Sequence, residues 1–426
     1  MNKEERNSIY DYPVNDMEES RSNRVIDGEY DFDRTMPSID LGSASHIVNH
    51  EIFSDDDRKG INREDREKEK RKQKSSSGKQ KKSTVKVKSK KKKIIITAII
   101  SLFALGMSSG LFLLYGPWGG FREWLITTAM TTLNHQYFAT WFYSDKTIQE
   151  VLNKNVVIES GENTNPNLVQ VGQINFNVSS YANKYEKEIL TKDPGNDLYK
   201  MINITGKGYK GYLIAVYDPS RISVISSANV GVSGQYLTTM AKNNKALVAI
   251  NGGGFVDPNY SSNGGVPQGI VIQNGKVISN RPYRKSGGLI GFTKENKFIL
   301  GRMTANQALQ AGVRDAVTFG PFLIVNGKKS FIRGNGGWGT APRTAIGQRK
   351  DGIVLMLVVD GRTLKYPGAD MVDLAEIMYN YGAYNAANLD GGTSSALVIN
   401  NKLINDPVDG SGRHETRAIA TGFMVK

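Results

Sequence analysis

One uncharged run dominates the hydrophobic pattern: IIITAIISLFALGMSSGLFLLY, Ile94 to Tyr115, with no acidic or basic side chain. As a helix this run spans ~33 Å, enough for the hydrocarbon core of a bilayer. It predicts a single transmembrane helix over 94–115. A secretory signal sequence is shorter and lies close to the N-terminus, so a run preceded by 93 residues reads as a retained anchor. Residues 1–93 have few large apolar positions, many charges and no sustained period, the signature of a disordered tail. Residues 116–160 include FREWLITTAMTTLNHQYFATWFYSDKTIQEVLN (121–153), which predicts one or two helices with aromatic faces. They form either a membrane-proximal stalk or a layer packed on the domain that follows. Trp118, Phe121 and Trp124 fall where an interfacial aromatic belt is expected, and Ser144 and Asp145 are helix-start residues.

Residues 161–426 read as one domain whose core starts at Gly211, where the pattern turns strand-like. YLIAVYD (212–218), ALVAIN (246–251), GIVIQ (269–273) and FLIV (322–325) are short β-type runs. Asn274-Gly275, Asn326-Gly327 and Asp351-Gly352 are hairpin signals. The unbroken apolar run IVLMLVV (353–359) predicts a central strand covered on both faces. One helix is clear: Met371, Leu374, Ala375, Met378 and Tyr379 repeat at helical spacing, with Asp370 as N-cap and Gly382 as stop. The fold class is therefore α+β, a strand-rich mixed sheet core with a few helices.

The net charge of +14 is unevenly distributed. Residues 1–57 carry −10, residues 58–93 carry +14 and the remainder +10. The lysines of Lys79–Lys93 directly precede the apolar run and set its orientation by the positive-inside rule, with anionic lipid as their contact. The tail is then cytoplasmic and everything after Tyr115 extracytoplasmic. That placement explains the basic block without nucleic acid, for which no other signal exists. Cysteine is absent, so disulfides, thiolate zinc sites and a cysteine nucleophile are excluded. Only His414 of the four histidines lies in the folded domain, which argues against a multi-histidine metal site. No cofactor is required by any motif. Oxygen ligands are present without a recognisable cation loop, which leaves a divalent cation open.

Four glycine-marked strand ends carry polar side chains: NGGGF at Asn251, APRTAIG at Arg343 and Thr344, VVDGR at Asp360 and Arg362, and NLDGGTSS at Asp390. Each alone is a turn. Together they set carboxylates, guanidiniums and exposed amides at strand ends, where scaffolds commonly hold active residues. Arginine recognises phosphate through a planar fork, and two carboxylates flanking a glycosidic bond serve as acid and base or as acid and nucleophile. These are the parts needed to break a sugar–phosphate linkage.

The order NGGGF, GPFLIVNGK, APRTAIG, VVDGR, a short helix and AANLDGGTSS resembles the phosphodiester glycosidase family over roughly residues 211–426. The resemblance implies a hydrolase acting on a sugar 1-phosphodiester of a cell-envelope glycan or exopolysaccharide. It sets Asn251, Arg343, Thr344, Asp360, Arg362, Asp390, Gly391, Gly392 and Ser394 on the family's motif positions. Asp390 and Asp360 are the candidate catalytic carboxylates. The others are candidate substrate contacts. Each has a plainer alternative: turn capping for Asp390, ion pairing for the arginines, holding Arg362 for Asp360, and ordering a turn for Asn251. Asp257 and His414 are weaker candidates, and Glu376 reads as solvated. The chain departs from the family pattern at Gly254, often an aromatic, and at Thr393, often a third glycine. The competing class is a non-catalytic polysaccharide-binding or biosynthesis accessory protein, which exposed aromatic platforms without a carboxylate would favour.

Overall fold

The computed structural model describes residues 81–131, 135–257, 263–283 and 285–426, with side chains from Lys90 onward. The acidic tail and the first lysines of the basic block, Lys79 included, lie outside the described residues. A single helix runs from Lys81 to Tyr115. Its segment Lys90–Tyr115 is long and apolar enough to cross a membrane. The backbone thus becomes helical before Ile94. No glycine or proline interrupts the chain from Lys81 to Leu105, and lysine is a good helix former, so the change of composition at Lys93 is no change of conformation.

The unbroken run 353–359 has the two-sided burial expected of it. Val354–Val359 lies in a seven-stranded sheet between Arg343–Arg349 and Tyr209–Val216. Leu355, Leu357 and Val359 turn to one face with Leu213 and Ala215; there Met371, Leu374, Ala375, Ile377 and Met378 of the helix Met371–Asn380 cover them. Val354, Met356 and Val358 turn to the other face and pack with Ile250, Phe292, Phe298 and Phe423 from two five-stranded sheets. Period-two alternation with both faces buried is what a continuous apolar strand encodes. The remaining strands of the large sheet are Tyr199–Gly206 at one edge, and Ala383–Leu389, Phe322–Val325 and Lys328–Lys329 toward the other. Every ladder among the described strands is antiparallel, as short hairpin connections require.

The local signals resolve individually. Asn274 and Gly275 (φ 51° and 73°) and Asn326 and Gly327 (52° and 79°) form left-handed two-residue turns between paired strands. Asp370 and Asp373 make a reciprocal capping box, with Asp373 N donating to Asp370 Oδ1 at 3.0 Å, and Gly382 follows the helix at φ 83°. Tyr379 faces outward instead of joining the apolar stripe; Ile377 and Met378 are the buried residues of that turn.

The folded region starts earlier than Gly211, and earlier than residue 161. The edge strand Tyr199–Gly206 alternates exposed and buried positions, and its polar half conceals it in the sequence. Val156–Ile158 pairs with Phe331–Arg333. The helices Gly119–Thr131, Tyr137–Thr140 and Asp145–Lys154 share a small core of Ile126, Ala129, Ala139, Tyr143, Ile148 and Val151. Ser144 caps the last of them by accepting from Thr147 N at 3.3 Å. Of the two arrangements open in the sequence, the structure has these helices packed on the domain. Trp124 Nε1 donates to Thr340 Oγ1 (2.7 Å), Asn335 Nδ2 to Thr127 Oγ1 (2.7 Å), and Thr131 Oγ1 to the Trp338 carbonyl (3.2 Å). Trp124 is therefore a docking residue, whereas Trp118 remains exposed.

Candidate active site

Register explains why the motif residues meet. Arg343 pairs with Val359, and Thr344 with both Val358 and Leu389. Since the strands are antiparallel, the start of Arg343–Arg349 lies beside the ends of Val354–Val359 and Ala383–Leu389. Asp360 and Asp390 follow those ends by one residue. Asn251 joins from the neighbouring five-stranded sheet, as the last residue of Val248–Asn251.

Asn251 and Thr344 are buried and turned toward the protein. Asn251 Nδ2 donates to the Asp390 carbonyl at 2.6 Å; its Oδ1 accepts from Thr344 Oγ1 at 2.7 Å and from Ala396 N at 3.1 Å. The two residues hold the Asp390 loop instead of lining its cavity. After Asp390 the chain makes a 3₁₀ turn, Gly392–Ser394, with Gly392 at φ 63°. A β-carbon there would stand 2.8 Å from Arg362 Nη2, so glycine meets both the conformation and the close approach. Thr393, the departure from the family pattern, accepts from Arg362 Nη1 at 2.8 Å. At Gly254 a β-carbon would stand 2.9 Å from the Phe319 ring, which already fills that space.

Arg343 and Arg362 both border a cavity of about 770 Å³ together with Asp390, Gly391, Gly392 and Ser394. Arg343 donates from Nε to the Ala369 carbonyl (3.2 Å) and from Nη2 to the carbonyls of Trp338 and Gly339 (2.7 Å to the latter). Arg362 Nη1 also reaches the Val408 carbonyl at 3.0 Å. Among the described residues neither guanidinium has a carboxylate within 4 Å. Burial and then the charge of Arg362 push the pKa of Arg343 down to about 10, and burial lowers that of Arg362. Asp370 and Asp390 offset the charge of Arg343, and Asp409 that of Arg362, from beyond ion-pair distance, so two desolvated cations without a direct ion pair can receive an anion.

Asp390 is partly buried on the same cavity wall. Burial raises its pKa to about 6, against the opposing effects of the Ser394 hydroxyl, Arg417, the Gly391 amide and Lys285. The cavity's other carboxylates have ion-pair partners: Asp257 with Arg417 at 2.7 Å, and Asp409 and Glu415 with Arg413 at 2.8 and 2.9 Å. A half-buried carboxylate titrating near neutrality beside an anion site can act on a bond next to that anion.

Asp360 is placed differently from the expectation of a second catalytic carboxylate. It lies beneath the site, 3% exposed and off the cavity wall. Its Oδ1 accepts from Asn405 Nδ2 and Asp406 N, each at 3.0 Å, and Lys210 Nζ stands 3.8 Å from Oδ2. Burial raises its pKa, offset by those hydrogen bonds and by Lys210. It braces the loop around Asn405, and among the described residues no hydrogen bond or ion pair joins it to Arg362. His414 is on the surface, paired with Asp406 at 2.7 Å. Glu376 is exposed and ion-paired with Lys329. Among the described residues no three acidic or histidine side chains gather into a cation cage. Sequence reasoning missed Trp338, Phe319 and the Arg413–Asp409 loop, which carry no motif. It also missed Thr128, Thr131 and His135 of the segment that follows the apolar helix, which form one wall of the cavity.

Residues 244–426 match the family model of the phosphodiester glycosidases. The chain carries a phosphodiester glycosidase domain. An SPbeta prophage-derived uncharacterized protein of Bacillus subtilis (strain 168) is 31% identical over 184 residues, 41% of this chain and 28% of its own length. Mouse N-acetylglucosamine-1-phosphodiester alpha-N-acetylglucosaminidase is 25% identical over 230 residues, 48% of this chain and 42% of its own. The chain thus spans less than half the length of either relative. Among solved structures, the catalytic domain of the zebrafish enzyme of that name, described as auto-inhibited by its pro-peptide, aligns with a TM-score of 0.46. It is 24% identical, and the alignment covers 55% of this chain and 85% of that one. The phosphodiester glycosidase domain contains every motif residue brought together above, from Asn251 to Ser394. The Gly119–Thr131 wall of the cavity lies outside the matched region.

Proposed function

We propose that this domain hydrolyses the glycosidic bond of a sugar 1-phosphodiester, with N-acetylglucosamine as the sugar. The observation that carries the reading is the pair of guanidiniums, Arg343 buried and Arg362 half-buried, which have no direct ion pair among the described residues and share one cavity wall with Asp390. In the reaction the bond from the anomeric carbon to the phosphate oxygen breaks, and water supplies the oxygen that replaces it. The bonding electrons leave with the phosphate, which departs as a monoester and gains negative charge. Arginines beside it therefore bind the transition state more tightly than the substrate, the condition for catalysis. Phosphate is a good leaving group and needs little protonation. Asp390 then acts in its ionised form at the anomeric carbon, as base toward water or as nucleophile. The water proton passes through the carboxylate to solvent, and sugar and phosphate monoester are released. Incubating the full chain in detergent with α-N-acetylglucosamine 1-phosphodiesters should release free sugar and phosphate monoester. Binding without release would leave the accessory-protein alternative.

The helix Lys90–Tyr115, preceded by lysines, supports a single-pass anchor with the N-terminus cytoplasmic and the domain outside, acting on a cell-envelope glycan. Protease added to intact cells should then remove the domain and spare an N-terminal tag. Protection of the domain would reverse the topology.

A further inference from the structure

The cavity and the apolar helix share one structural element. Thr128 and Thr131 close the cavity from the helix Gly119–Thr131, and the His135 ring packs against Gly410 on its rim. Gly119 follows Tyr115, the last residue of the apolar helix, by only a few residues. Two hydrogen bonds fix that helix end to the same segment: Tyr115 Oη donates to the Phe142 carbonyl at 2.8 Å, and Tyr143 Oη to the Leu114 carbonyl at 3.0 Å. From Gly119 to Thr131 is roughly 18 Å of helix axis and the link from Tyr115 to Gly119 adds at most about 14 Å, so the cavity wall stands within about 32 Å of the end of the apolar run. The outer side of this segment is aromatic and uncovered. Trp141 is 72% exposed, Tyr137 and Phe138 are exposed beside it with ring centroids 4.4 Å apart, and Trp118 is 65% exposed. Aromatic rings at the end of a membrane-crossing helix belong at the headgroup layer.

We propose that the bilayer surface covers this aromatic face, and that the cavity takes a lipid-tethered glycosyl phosphodiester whose aglycone runs along the Thr128–Thr131 wall toward the membrane. The proposal rests on the phosphodiester glycosidase reading above and adds its substrate class. The short, hydrogen-bonded link gives the domain little freedom to follow a polymer away from the surface. A substrate held in the same membrane is presented at high effective concentration.

The test uses the full chain in lipid vesicles. One probe is the α-N-acetylglucosamine 1-phosphodiester of oligo(ethylene glycol); the other is the same compound ending in a hexadecyl chain that inserts in the vesicle. The tethered probe should be cleaved at least ~10-fold faster at equal total concentration. The variant Trp118→Ser/Trp141→Ser should lose that advantage and retain the rate on the soluble probe. Equal rates on both probes, or an advantage that survives in the variant, overturn the proposal and leave the glycosidase reading intact. Cleavage of neither probe overturns both.

Discussion

Asp390→Asn is expected to lower turnover by about a thousandfold or more while the domain stays folded, since the variant keeps the shape and removes the charge. In the native protein, kcat/KM on a sugar 1-phosphodiester should rise with pH and level off above about 6, where Asp390 becomes ionised. Stability should move the opposite way. The carboxyl ordinarily titrates at 3.8, and burial raises it. Between those values the folded state holds a proton that the unfolded state lacks. Stability therefore falls as pH rises through this window, and the penalty is complete above it. Asparagine carries no such penalty. At pH 8 the variant should be more stable by on the order of 1–2 kcal/mol, allowing for solvent at the cavity mouth. Rates and thermal melts on the same samples check both halves. Near-normal turnover would remove Asp390 from the chemistry, and a lowered melting temperature would make it a structural group.

Arg362→Lys should cost about 2–3 kcal/mol of transition-state stabilisation, roughly 30- to 160-fold in kcat/KM, because one point charge replaces a planar fork. The loss should fall mainly on kcat if the guanidinium stabilises charge that grows on the departing phosphate. A rise in KM alone would mean that it only holds the substrate. Arg362 is the better of the two arginines to test. Arg343 also ties the carbonyls of Trp338, Gly339 and Ala369, so its replacement disturbs that loop as well as the anion site.

What could be read from the sequence was whatever depends on neighbours in the chain. The two-sided burial of Val354–Val359 followed from its unbroken apolar run, and the start and stop of Met371–Asn380 from Asp370 and Gly382. Asparagine-glycine turns predicted their hairpins. The strand-end positions of Asp390 and Arg343 followed from apolar runs meeting glycine or proline. Contacts between distant segments left no such mark. Asp360 resembles Asp390 in its local text, Asp-Gly after an apolar strand. Their difference is set by Asn405, 45 residues further on, whose amide donates to Asp360, whereas Asp390 is bonded within its own loop by Ser394 and Gly391. The docking of Gly119–Thr131 rests on hydrogen bonds more than 200 residues apart in sequence, made by threonines and a tryptophan that suit an exposed amphipathic helix equally well. The edge strand Tyr199–Gly206 was hidden because half of its side chains meet water.

Asn251 gives the Asp390 loop a dependence that its own residues do not disclose. One amide joins the Asp390 carbonyl, the Thr344 hydroxyl and the Ala396 amide, partners 139, 93 and 145 residues away. The octapeptide NLDGGTSS consequently has no shape of its own to carry elsewhere. Grafted onto a foreign hairpin, it would transplant the carboxylate and the glycines but not the clamp that aims them. Redesign of this activity therefore has to treat the junction between the two sheets, and not the loop, as the smallest transferable unit.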